Sequence, residues 1–241
     1  MTGRVNHLGQ PIGHALPEWS PPSLPSREPM TGRYCRVEAI DPARHGADLH
    51  AANKADREDR IWTYLPYGPM ATLEDYQAWM DLECRGDDPL FHAIIDNANG
   101  KAVGVASYLN INPAVGSIEV GHINYAPTLQ KSPAATEPMV LMIKRAFDLG
   151  YRRFDWKCDA HNAGSRAAAK RLGLSYEGVF RQATIYKGRN RDTAWYAAID
   201  SEWPALRDAF EEWLDPDNFD DDGRQRSSLS AATRPLLVNN G

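Results

Sequence analysis

Apolar residues recur along this chain at two different periods, and the switches between them outline its elements. In 33–40, RYCRVEAI, they alternate with polar ones, which predicts a strand. Asp41 then precedes Pro42, an N-cap followed by proline at the first helical position, and predicts a helix to about residue 56. The stretch 60–70, RIWTYLPYGPM, is aromatic and broken by prolines, so it predicts a loop. Thr72 caps a second helix carrying Leu73, Tyr76, Trp79, Met80 and Leu82. Alternation returns in 89–96, 101–111 and 118–126, separated by Asn-Ala-Asn-Gly and by a turn beginning Asn-Pro, which predicts an antiparallel meander.

Helical spacing reappears at Met139, Met142, Ile143, Ala146 and Phe147, ended by Gly150. A strand over 152–160, an alanine-rich helix over 162–173 stopped by Gly173, and a hairpin over 178–199 turning at Lys187-Gly188-Arg189-Asn190 complete the pattern. The flanks differ. Residues 1–31 include Pro11, Pro17, Pro21, Pro22, Pro25 and Pro29 and predict an extended arm, whose Leu8, Ile12, Leu16 and Trp19 either strap across a surface or stay loose. From 215 to 241 the chain is acidic and then polar, with few large apolar residues before Leu236, which predicts a flexible tail. The folded domain is thus expected over 32–214.

With 241 residues the chain can enclose one sizeable core and a cleft. A net charge of −5 argues against a nucleic-acid partner, which a basic face would serve. The first thirty residues hold no apolar run long enough for a signal peptide or a membrane span. Cys35, Cys84 and Cys158 form neither a CxxC pair nor a disulfide framework, so a reducing, cytoplasmic location is expected, and no metal. Cys158 and His161 are close in sequence, but on strand and loop positions their side chains need not meet.

The chemically suggestive segment is 128–138, TLQKSPAATEP, between the third meander strand and a helix. A helix start exposes unpartnered N–H groups and partial positive charge, a natural anion site. With Pro133 as first helical residue, the amides of Lys131, Ser132, Ala134, Ala135 and Thr136, with Gln130 beside them, are candidates to face a phosphate. The plain alternative is that Ser-Pro-Ala-Ala merely starts a helix. Neither a dinucleotide fingerprint nor a Walker loop occurs.

Two separated motifs fit this order of elements. The strand EVGH (119–122) leads to Gln130-Lys131-Ser132-Pro133-Ala134-Ala135 and then Thr136-Glu137, and Asn162-x-x-Ser165 is followed by RLGLSYEGVFR (171–181). Over roughly 32–200 the chain resembles the GNAT superfamily of acyl-CoA-dependent N-acyltransferases, and within it the branch containing the ribosomal-protein N-terminal acetyltransferases. The family's loop reads Arg/Gln-x-x-Gly-x-Gly/Ala before Ala-Thr-Glu, so Pro133 stands where glycine is usual.

The resemblance implies an α+β fold with a mixed, mostly antiparallel sheet flanked by helices. The strands on either side of the loop helix would splay apart to admit the pantetheine arm of acetyl-CoA, or of another short acyl-CoA. Backbone near Ile123, Asn124 and Tyr125 would hold that arm, the 130–136 loop its diphosphate, and Asn162 and Ser165 the thioester end. Ser165 matches the acid for the leaving thiolate, or else only orders the arm. The family's glutamate base is replaced by Thr184, which cannot take a proton but falls in the acceptor pocket. Glu119 and His122 are the substitutes, on opposite faces unless a bulge intervenes, with Glu119 favoured and His122 also readable as a structural side chain. Trp62, Tyr64 and Tyr67 would roof the pocket, though Trp62 suits a core equally well. The expected partner is an amine-bearing small molecule or a peptide N-terminus, acted on by a monomer or homodimer. A catalytically weak acyl-CoA-binding sensor or interaction module is the alternative.

Overall fold

A computed structural model describes residues 4–241. Two short strands, β1 (Arg4–Val5) and β2 (Pro11–Ile12), form an exposed ribbon, and β3 (Met30–Thr31) joins the main sheet. After β4 (Cys35–Ala39), α1 (Pro42–Asn53) begins where the Asp41 carboxylate accepts the amides of Ala43 and Arg44. A single 3-10 turn, Arg60–Trp62, interrupts the aromatic loop. Thr72 and Asp75 form a capping box at the start of α2 (Leu73–Glu83). The meander follows as β5 (Leu90–Asp96), β6 (Ala102–Asn112) and β7 (Ser117–Tyr125). Then come α3 (Pro133–Asp148), β8 (Arg153–Asp159), α4 (Ala163–Arg171), β9 (Ser175–Tyr186), β10 (Arg189–Ile199), α5 (Trp203–Trp213) and α6 (Leu229–Thr233).

The eight-stranded sheet runs β3-β4-β5-β6-β7-β8-β10-β9, and every neighbouring pair is antiparallel except β7 and β8. Alternation along β5 shows how it is sandwiched. Phe91, Ala93 and Ile95 pack with Leu49, Trp62, Tyr76 and Met80 of the α1–α2 layer, whereas Leu90 and Ile94 belong to the core with Met139, Met142 and Ile143 of α3. Layers of helices therefore cover both faces. No helix of the described residues is long and apolar enough to cross a membrane.

One buried carboxylate ties the sheet to α3. Glu137 accepts the amides of Arg33, Tyr34 and Cys35, each at 2.7 Å, so the turn into β4 finds its acceptors on the helix. Gly32 makes room, since a Cβ there would lie 2.3 Å from the Glu137 carboxyl carbon.

The flanks depart from expectation. The arm straps the surface through Trp19, half-buried beside Gly116, but not through Leu8, Ile12 and Leu16, which are exposed. Further along, Arg27 reaches the carbonyls of Arg85 and Gly86, and Arg145 holds those of Glu28 and Pro29. The segment 215–241, expected to be flexible, is folded. Leu229 is fully buried against the main core, Trp213 Nε1 donates to Gln225 at 2.8 Å, and the Tyr176 amide donates to the Asn239 carbonyl at 3.0 Å. Polar composition misleads here because the polar groups satisfy backbone and one another while Phe219, Leu229 and Leu236 pack against the core.

Two stability predictions follow from buried polar groups. Glu137→Ala strands three amides and is expected to cost ~3 kcal/mol or more in urea unfolding, whereas an unchanged midpoint would contradict the role assigned to this carboxylate. His92 is fully enclosed, edge-on to Tyr108, and burial pushes its pKa from 6.5 down to about 4. The unfolded chain therefore takes up a proton at higher pH than the folded one. The stability associated with neutral His92 is complete above pH 6.5 and lost as pH falls through 4. Between pH 7 and 4, His92→Leu should lose ~3 kcal/mol less stability than the parent.

Candidate active site

Between β7 and β8 the ladder holds for four pairs, from Ser117↔Arg153 to Val120↔Trp156, and then stops. Two features part the strands. β8 continues against β10, pairing Cys158 with Ala194 and Asp159 with Thr193. β7 continues against β6 with one extra residue, since Ser107 faces Gly121 but Val105 faces Asn124, and His122 at the bulge has φ +51°. The Ala126 amide donates to Val103 of β6 at 3.1 Å, so alternation turns the Asn124 backbone to β6 and the Ile123 and Tyr125 backbone into the gap. Gln130 Nε2 donates to the Tyr125 carbonyl at 2.9 Å, taking up one group of this open edge.

A cleft of about 540 Å³ opens at this gap, bounded by Arg60, Tyr64, Ile123, Gln130, Ser165 and Arg191 among others. On its floor Glu119 is 5% exposed, and its Oε2 accepts from Lys157 Nζ at 2.6 Å and Asn110 Nδ2 at 2.7 Å. Oε1 accepts no hydrogen bond among the described residues. Burial raises the Glu119 pKa, against the opposing pull of Lys157 and Asn110. Lys157 is itself fixed over the Trp195 ring, 3.9 Å from its centroid.

On the facing wall Asn162 caps α4 by accepting the Ser165 amide at 3.0 Å. Ser165 Oγ accepts from the Trp156 indole at 2.9 Å, which leaves its own hydrogen to donate. The first turn of α3 is capped internally, Ser132 Oγ accepting the Ala135 amide at 3.2 Å. The amides of Lys131, Ser132 and Ala134 donate to no atom among the described residues, and Lys131 sits at φ +61°. Ser132 and Ala134 border a second hollow of about 440 Å³ beside Arg33 and Asn97.

Comparison with known proteins settles what this arrangement belongs to. Residues 39–175 match the family model described as an acetyltransferase (GNAT) domain. The chain belongs to the GNAT acetyltransferase family. A GCN5-related N-acetyltransferase from Brucella melitensis is 44% identical with a TM-score of 0.88, covering 90% of this chain and 99% of its own. A GNAT-family structure from Chromobacterium violaceum is 36% identical with a TM-score of 0.76, over 81% and 98% of the two chains. The fold extends to RimL, a ribosomal L7/L12 alpha-N-protein acetyltransferase solved with coenzyme A, at 20% identity and a TM-score of 0.59 over 72% and 99%. No curated protein sequence matches.

Within this GNAT acetyltransferase several expected site residues move out of the cleft. Trp62, 4% exposed, belongs to the core with Leu49 and Tyr76. Tyr67 stacks on His122, with ring centroids 5.6 Å apart, and on Trp79. His122 borders the cleft but is wedged between Tyr67 and Phe91, and burial, with Arg191 adding to it, lowers its pKa to about 4. So weak a base does not suit proton abstraction from an amine. Thr184 is exposed on the outer strand β9, opposite Arg191, and borders no part of the cleft. The Ala135 amide is taken by its cap, and the Thr136 hydroxyl accepts from Arg171 at 2.9 Å. Of the roof trio only Tyr64 borders the cleft, and its hydroxyl donates to the His161 carbonyl across it at 3.2 Å.

Other groups in the cleft were not singled out from sequence. Asp159, 6% exposed, accepts from the His161 amide at 2.8 Å and from Tyr186 OH at 2.8 Å. Burial raises its pKa, but these bonds and the His161 ring outweigh burial and hold it below the usual value. His161 thus turns to Asp159, not to Cys158, whose thiol burial pushes up. Alternation on 152–160 would have placed Lys157 and Asp159 on one face; their partners, from β7, β9 and β10, are distant in sequence.

The β9–β10 hairpin also holds the roof. Lys187 Nζ donates to the Trp62 carbonyl and Arg189 to that of Thr63, each at 2.8 Å. Replacing both with Met is expected to speed amide exchange in 60–66 by ~5–30-fold while leaving global unfolding nearly unchanged; equal protection in both proteins would show that the hairpin does not restrain the roof.

Proposed function

We propose that the protein transfers the acetyl group of acetyl-coenzyme A to a primary amine on a small molecule or a peptide N-terminus, by direct attack. The observation that carries this is the parting of β7 and β8 after Val120 and Trp156, which leaves Ile123 in a cleft that also contains Glu119 and Ser165, with the Tyr125 backbone likewise turned from β6. The open strand edge fits an extended amide-bearing arm, and the unpaired amides of Lys131, Ser132 and Ala134 fit a diphosphate at the helix start. Acetyl-coenzyme A supplies an acetyl thioester, the activated acyl group. The Ile123 amide is the donor for the oxyanion, a contribution of ~10²–10³ in rate.

Glu119 is the base, acting through one water from Oε1, because its other oxygen is engaged by Lys157 and Asn110. Ser165 is the acid. Its hydroxyl, oriented by Trp156, gives its hydrogen to the departing thiolate. The place of action is the cytoplasm, in keeping with three cysteines that are all buried free thiols.

Release of free thiol from acetyl-coenzyme A against a panel of primary amines tests the proposal. Turnover is expected with at least one amine, with kcat lowered ~10²–10⁴-fold in Glu119→Gln and ~10–10²-fold in Ser165→Ala. Coenzyme binding without turnover on any amine, or unchanged rates in both variants, would overturn it. Because Lys157 lowers the Glu119 pKa, Lys157→Met is expected to move the acid limb of the kcat/KM profile to higher pH.

A further inference from the structure

Nothing in the proposed reaction uses Arg191, yet it stands in the cleft with its charge unspent. Alternation along β10 places Arg191, Thr193 and Trp195 on one face, and the partners of Trp195 and Thr193 on β8 are Lys157 and Asp159. Arg191 therefore looks onto the floor that carries Glu119, from the side of the roof and hairpin. Its Nε donates to Thr193 Oγ1 at 3.1 Å, and its guanidinium carbon lies 5.8 Å from the centre of the Tyr186 ring. These contacts aim the fork while leaving its two terminal nitrogens without an acceptor among the described residues.

The donors and acceptors of the surrounding charged groups are otherwise engaged. Lys157 is paired with Glu119, Arg60 with Glu58, and Lys187 and Arg189 donate to the Trp62 and Thr63 carbonyls. Asp159 is committed to His161 and Tyr186, and no carboxylate lies within 4 Å of Arg191 among the described residues. The charged group of this part of the cleft with donors still unmet is thus the Arg191 guanidinium, half-buried and pre-oriented. Its field reaches the floor, since it adds to the burial that depresses His122. A planar fork with two free donors matches a carboxylate in bidentate geometry. The same positive charge disfavours an ammonium, so it rejects wholly cationic amines and helps the acceptor present its neutral, nucleophilic form.

We propose that Arg191 determines acceptor specificity by binding a carboxylate of the acceptor, so that the substrates are amines that also carry a carboxylate, such as amino acids, rather than polyamines or simple alkylamines. This rests on the acetyl-transfer function proposed above.

The test uses the full chain with matched acceptors: amino acids, their amides, their decarboxylated amines and the corresponding aminoalkyl phosphonates, each with acetyl-coenzyme A. The carboxylates are expected to exceed their amides in kcat/KM by at least ~10-fold. In Arg191→Gln that advantage should fall to less than ~3-fold through the acceptor KM, with the KM for acetyl-coenzyme A unchanged and Arg191→Lys recovering part of it. Amides or diamines turned over as well as the carboxylates, or Arg191→Gln slowing every acceptor equally, would overturn the role of Arg191. Preference for the phosphonates would overturn the carboxylate assignment. Calorimetry with coenzyme A present separates this proposal from the one beneath it. Amino-acid binding that Arg191→Gln abolishes, without turnover, upholds Arg191 and overturns acetyl transfer; absence of both binding and turnover overturns Arg191 as well.

Discussion

A strand that loses its neighbour must find partners for its amides, and this requirement organises the molecule around the point where β7 and β8 part. Above that point the two strands form a parallel ladder like any other. Below it, each turns to a different companion, β7 to β6 and β8 to β10, and the Ile123 backbone and the Tyr125 amide are left facing the gap, the Tyr125 carbonyl being taken by Gln130. Such an edge inside a sheet is costly unless a ligand completes it. The fold supports the separation from both sides. The extra residue at His122 re-aims β7, and the aromatic stack of Tyr67, His122 and Phe91 holds the bulge in place.

The electrostatics of the cleft follow from the same geometry. Glu119 is enclosed where the strands are still paired, and Lys157 keeps its charge tolerable while leaving one oxygen uncommitted. Asp159 lies beyond the fork and is stabilised by the turn into α4 and by Tyr186 from the outermost strand. Two carboxylates on one floor are thereby given different jobs by their neighbours, one with a raised pKa and one with a lowered pKa. Arg191, by contrast, has no carboxylate within 4 Å among the described residues, and its unmet donors are the part of the cleft most directly suited to selecting a ligand.

Local signals served well where an element is specified by its own residues. Asp41-Pro42, Thr72 and Ser132-Pro133 start helices because each cap and proline acts within one turn. The family and the Glu119 and Ser165 positions were legible through motifs on neighbouring elements. What escaped depends on residues far apart in sequence. Trp62 lies in the core because α1 and α2 close over it, and Thr184 lies clear of the cleft because β9 is the outermost strand, beyond β10. Helix α5, with Leu206, Phe210 and Trp213 at helical spacing, is legible by the same local criterion. The fold of 215–241 was not legible, since its hold comes from three widely spaced apolar residues, Phe219, Leu229 and Leu236, and scattered side-chain bonds. The Arg191 environment likewise arises only when three strands and a hairpin converge.

The most direct test of the central claim is residue-resolved amide hydrogen exchange with and without coenzyme A. If the open edge is completed by the pantetheine arm, the Ile123 and Tyr125 amides gain strong protection on binding while Asn124, already bonded to β6, changes little. Saturating coenzyme that leaves the exchange of Ile123 and Tyr125 unaltered would contradict the account.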